Sequence, residues 1–82
     1  MKDNELLERI TSEPAIMVGK PVVRGTRVTV EHVLNLPAHG SSAQDVMDEY
    51  SGLTEDDIHA CLLFASKSLE DVSFMPLAEA TA

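Results

Sequence analysis

The chain is short of the residues on which most protein chemistry is built. Its 82 residues hold one cysteine, no tryptophan, one tyrosine and only six lysines and arginines against fourteen acids. The lone Cys61 excludes an intrachain disulfide and any cysteine-based zinc site. Its neighbours in "HACLLFA" are apolar and the nearest cation, Lys67, is six residues away. A reactive thiol needs a cation close by, so Cys61 is expected to be a small buried hydrophobe. No run of about 18 apolar residues exists, and no membrane span is expected. The first residues, "MKDNELLERITSEP", carry acids where a signal peptide needs a basic patch and an apolar run. A cytoplasmic location is the expectation.

Catalytic groupings are missing as well. His32, His39 and His59 are scattered, and His32 and His39, seven residues apart on either side of Pro37, make only a weak metal signal without a positioned carboxylate or cysteine. Ser41 and Ser42 have no base at a recognisable spacing, and turn or cap duty accounts for them. "GKPVVRG" lacks the Gly-Lys-Ser/Thr ending of a phosphate loop. No enzyme, cofactor or metal is expected.

What is present is apolar residues, 44% of the chain, and 24% charged ones, a composition that folds rather than stays disordered. A chain of 82 residues makes one domain. At that size only a little over ~60% of the unfolded surface is buried, and homo-oligomerisation is an expected source of more. The net charge of −8 is unevenly placed. Residues 1–40 carry five basic and five acidic groups, whereas residues 41–82 carry nine acids and only Lys67. The acidic half repels nucleic acid phosphate and favours basic partners.

Residues 4–10, "NELLERI", have the spacing of a short helix, stopped at "TSEP" because Pro14 forces Glu13 out of helical geometry. "VV" (22–23) and "VTV" (28–30) read as strands of a small hairpin at about 21–30, with "RGT" as its turn. Thr29 is also an N-cap for a helix over 30–39 with Val30, Val33 and Leu34 inward. Pro37 should kink that helix or end it early, and Gly40 supplies its left-handed stop. Ser42 with Asp45 caps a helix over 42–50 that buries Ala43, Val46, Met47 and Tyr50. Gly52 lies in the tight connection that follows. Thr54 with Asp57 opens the longest helix, 55–71, on which Ile58, Cys61, Leu62, Ala65, Leu69 and Val72 recur at helical spacing. The expected architecture is mainly α, a three-helix, helix-turn-helix bundle with a short N-terminal hairpin. Residues 1–74 form this domain and 75–82 a flexible tail.

A helix-turn-helix that reads DNA places the start of its second helix against base edges. Here that start is Glu55, Asp56 and Asp57, which phosphate would repel. Acids in a first turn have the ordinary role of complementing the helix dipole. The positive charge is elsewhere: Lys20, Arg24 and Arg27 fall within "GKPVVRGTRVTV". Three readings of that cluster stand together. Arginines there grip phosphates, fork onto carboxylates of a protein partner, or pair with the protein's own acidic half across a dimer.

The ordered set "EPAIMVGKPVVRGTRVTVEHVL", a helix ending at Gly40, a short capped helix, "Y-x-G-L-T" (50–54) and an acid-capped helix covers about residues 10–70. It resembles the signature of a small bacterial family known as domain-of-unknown-function family 433. The chain departs from that pattern at Pro37. The resemblance implies a homeodomain-like three-helix fold with an N-terminal hairpin, often dimeric. It also implies an antitoxin role beside a ribonuclease of the PIN-like fold. Gly19, Pro21, Gly25, Thr26 and Arg27 stand at the family's signature positions, with Gly40 and Gly52 as further structural ones. Function is expected to rest on Arg24 and Arg27. A regulator gripping DNA through its hairpin is the alternative.

Overall fold

The structure, a computed structural model, describes residues 1–70, 72 and 73. Its elements in chain order are helix α1 (Asp3–Leu7), strand β1 (Ile10–Thr11), a 3₁₀ turn (Met17–Gly19), strand β2 (Val22–Val23) and helices α2 (Val30–Ala38), α3 (Ala43–Glu49) and α4 (Glu55–Ser68). The expected mainly α architecture is present, and the three capped helices lie where their caps put them. The expected 75–82 tail lies outside the described residues.

Each cap works through a short side-chain reach. Thr29 Oγ1 accepts from His32 N–H at 3.1 Å. Ser42 and Asp45 exchange bonds of 3.1 and 2.9 Å in a complete capping box. Thr54 and Asp57 do the same at 3.2 and 2.9 Å. Two orphan donors are satisfied at the start of each boxed helix. Helix α2 runs one residue past Pro37 and stops. Gly40, at φ +96°, then lets its own N–H reach Pro37 O at 3.0 Å and Ser41 N–H reach Leu36 O at 3.1 Å. That is a Schellman stop, which needs a left-handed residue after the cap.

The hairpin differs from the expectation. β2 pairs antiparallel with β1, Ile10 opposite Val23 and Thr11 opposite Val22. The helix expected over 4–10 ends at Leu7, so Ile10 turns onto the core as part of a strand. The arm 28–30 touches β2 through one bridge, Val22 with Thr29, and through Val23 N–H to Val28 O at 3.0 Å. It is no strand because Thr29 is buried as the cap of α2 and Val30 already belongs to that helix. The N-cap signal outranks β propensity there.

The core is small and aliphatic. Val23, Val30, Val33, Val46, Leu53, Ile58 and Cys61 form it, with Ile10, Leu34, Tyr50 and Phe64 half-buried around them. α4 packs on α1, α2 and α3, so it is the central rod. Four residues expected inside are not. Ala43 is exposed, and Leu62, Leu69 and Val72 are 50%, 62% and 60% exposed. α4 ends at Ser68 rather than at 71, and among the described residues its outer stripe stays exposed.

The segment leading into β2 is backbone-strained. Met17, Val18 and Gly19 have φ of +49°, +56° and +79°, and Val18 is 94% exposed. For a β-branched L-residue that region costs on the order of 1–2 kcal/mol. The Ser12 hydroxyl, which donates to Gly19 O, ties the end of this turn to the chain after β1.

Candidate partner-binding site

Arg24 and Arg27 sit on a turn whose shape is dictated by the two residues between them. Gly25 has φ +81°, and Thr26 N–H closes the turn onto Val23 O at 3.0 Å. Positive φ at that third position is what a type II turn requires, and glycine meets it without a Cβ penalty. The Thr26 hydroxyl donates to Val23 O at 2.7 Å and accepts from Val28 N–H at 3.0 Å. Thr26 is therefore occupied as a staple, its single donor spent on the turn itself. Both arginines are exposed, and among the described residues neither forms an ion pair. They line a cleft of about 560 Å³ whose other wall is Thr11, Glu13 and Ile16.

Lys20 does not join them. Its Nζ lies 3.2 Å from Glu31 Oε1, and it borders a separate apolar groove with Pro21. Pro21 accepts from Val30 N–H at 2.9 Å through its carbonyl, which fixes the entry to α2. Gly19 ends the left-handed turn and Gly52 lies in the turn between α3 and α4. Of the three basic residues in the motif, the structure thus brings two together.

The residue that sequence reasoning passed over is Arg9. Its backbone carbonyl accepts from Arg24 N–H at 2.7 Å, which sets the two arginines opposite each other across the strands. Arg9 Nη1 donates to Asp57 Oδ1 at 3.1 Å, and its Nη2 lies 3.7 Å from Asp56 Oδ2. Arg9 is thereby neutralised by the start of α4, whereas Arg24 keeps its charge beside Glu5 and Glu8. No local pattern links positions 48 residues apart. The arrangement has a consequence for α4. Two of the three acids at its start are tied to Arg9, while Glu55 stays 67% exposed.

Cys61 is fully buried, as expected from its neighbours. Burial, then the Asp57 carboxylate, push its thiol up from 9.0 to about 11. The unfolded thiol ionises first as pH rises. Its contribution to stability is complete below pH 9.0 and is lost as pH climbs through about 11. Between pH 8 and 11, wild-type protein should lose about 2 kcal/mol more than Cys61→Ala in urea unfolding. Equal losses in the two proteins would remove Cys61 from the alkaline transition.

Among the described residues no group of three or more His, Cys, Asp or Glu is placed to hold a metal ion. No described helix is long and apolar enough to cross a membrane.

Comparison with known proteins gives one curated relative and one solved structure. The chain is 38% identical over 58 residues to the uncharacterized protein y4eO of Sinorhizobium fredii, covering 71% of this chain and 26% of that protein. It therefore spans about a quarter of that relative's length. A crystal structure of a DUF433 member from Anabaena variabilis superposes with a TM-score of 0.72 at 24% identity, over 82% of this chain and 66% of that one. That likeness concerns the fold. The sequence profile described as "Protein of unknown function (DUF433)" matches residues 10–65, which span both strands, the basic turn and nearly all of the three capped helices. The chain belongs to the DUF433 family.

Proposed function

We propose that this chain is a non-catalytic, dimeric binding module that acts as an antitoxin, neutralising a ribonuclease of the PIN-like fold. The observation that carries the reading is the Arg24–Arg27 turn. Two guanidinium groups stand on a stapled turn, without ion-pair partners among the described residues, in a chain of net charge −8. Guanidinium groups fork onto carboxylates, and the active site of a PIN-like ribonuclease is a cluster of metal-binding carboxylates. An arginine inserted there displaces the metal or blocks the RNA.

The runner-up, a regulator that grips DNA, uses the same turn. Its major-groove form is disfavoured by the carboxylates that stay exposed at the start of α4, Glu55 at 67% and Asp56 at 49%. The two readings part in one experiment. Co-expression with the product of the adjacent gene should give a stoichiometric complex with suppressed ribonuclease activity. The double charge reversal Arg24→Glu/Arg27→Glu should weaken that inhibition by about 100-fold or more, because like charges then face each other. Unchanged inhibition would sink the arginine reading. Salt-dependent binding to duplex DNA that the same variant abolishes would favour the regulator.

A further inference from the structure

The outer face of α4 was expected in the core and is instead open. Leu62, Ala65 and Leu69 follow one another at helical spacing, and Leu62, Leu69 and, beyond the helix end, Val72 are all at least half exposed. Beside this stripe lies an apolar groove of about 410 Å³ between α4 and the start of α2, walled by Pro21, Val30, Phe64 and Leu69. Its charged rim is balanced. Lys20 pairs with Glu31 at 3.2 Å at one edge, and Lys67 with Glu70 at 3.3 Å beside Leu69.

That balance selects the occupant. A chain of net charge −8 repels its own copies over most of its surface. α3 shows this plainly, since Asp45, Asp48 and Glu49 form no ion pair with a base among the described residues. Along the stripe Lys67 offsets Glu70 and His59 lies 3.8 Å from Glu55, so a second copy approaches this face at a lower like-charge cost than it meets at α3. An apolar centre with a mixed-charge rim is also self-complementary, as a two-fold interface demands.

We propose that a second copy of this chain packs here, α4 against α4, with Leu62 and Leu69 at the centre and the groove filled from the partner side. The inference rests on the dimeric reading given above and names its surface. It places the basic turn outside the interface, free for another partner.

Sedimentation velocity on the full chain tests it, with a dimer of twice 8.9 kDa as the expected species. Leu62→Glu/Leu69→Glu should raise the dimer dissociation constant by about 100-fold or more, because truncated or charged central anchors dominate interface losses. Both positions are exposed, so circular dichroism should be unchanged. Arg24→Glu/Arg27→Glu should stay dimeric. As a second probe, Ser66→Cys, exposed on the same stripe between Leu62 and Leu69, should cross-link to its copy on oxidation. A wild-type chain that is monomeric throughout overturns both the face and the dimeric reading. A dimer that survives Leu62→Glu/Leu69→Glu, or that fails to cross-link through Ser66→Cys, overturns the face alone.

Discussion

Asp57→Ala is expected to lower the free energy of unfolding by about 3 kcal/mol, a large share of the roughly 5 kcal/mol typical of a domain this size. The side chain is 11% exposed and both of its oxygens are used. Oδ2 accepts from Thr54 N–H at 2.9 Å, completing the cap of α4. Oδ1 accepts from Arg9 Nη1 at 3.1 Å, fastening the N-terminal segment to the central helix. Loss of a cap partner costs about 1 kcal/mol. Removing one member of a buried pair costs several kcal/mol, but Arg9 is about one-third exposed, so roughly 2 kcal/mol is the appropriate share here. Asp57→Asn keeps an acceptor for Thr54 N–H while losing the charge, and should recover about a third of the loss. Urea unfolding followed by circular dichroism measures both. A loss under about 1 kcal/mol for Asp57→Ala would mean that the Arg9 bond contributes nothing net.

A comparable effect is expected for Ile58→Ala, again about 3 kcal/mol. Ile58 is 4% exposed, and the residues around it are mainly valines, Leu53 and Cys61. Short, stiff side chains relax poorly into a void, so the cavity term adds to the lost transfer energy. Leu62→Ala is the contrast on the same helix. Half of that side chain is already in water, and the change should cost under about 0.5 kcal/mol in the monomer. If the two substitutions cost the same, the assignment of inner and outer faces of α4 is wrong.

These two residues also mark where reading the sequence succeeds and where it stops. The caps at Thr29, Ser42 and Thr54 and the stop at Gly40 are local, each using a side chain or backbone angle within four residues, and all were legible. Ile58 and Cys61 follow from helical spacing for the same reason. Spacing alone cannot count how many faces of a helix find a partner. Leu62 and Leu69 share the period of the core residues, yet among the described residues both stay at least half exposed. β1 escaped because Ile10 and Thr11 are too few to show alternation. The ion pair from Arg9 to Asp57 joins residues 48 apart, and its consequence is larger than its signal. It divided the positive charge into a structural arginine and the two left on the turn. The basic turn itself was legible through Gly25, whose conformation is written into its residue type.

The left-handed turn at Met17–Gly19 concerns chirality itself. Its strain arises because an L-configured Cβ crowds the backbone at positive φ, so it is a property of the hand of the residue rather than of its size. A D-valine at position 18 would find the same backbone relaxed. The loop is thus a place where the mirror-image building block suits the native fold better than the one the ribosome supplies.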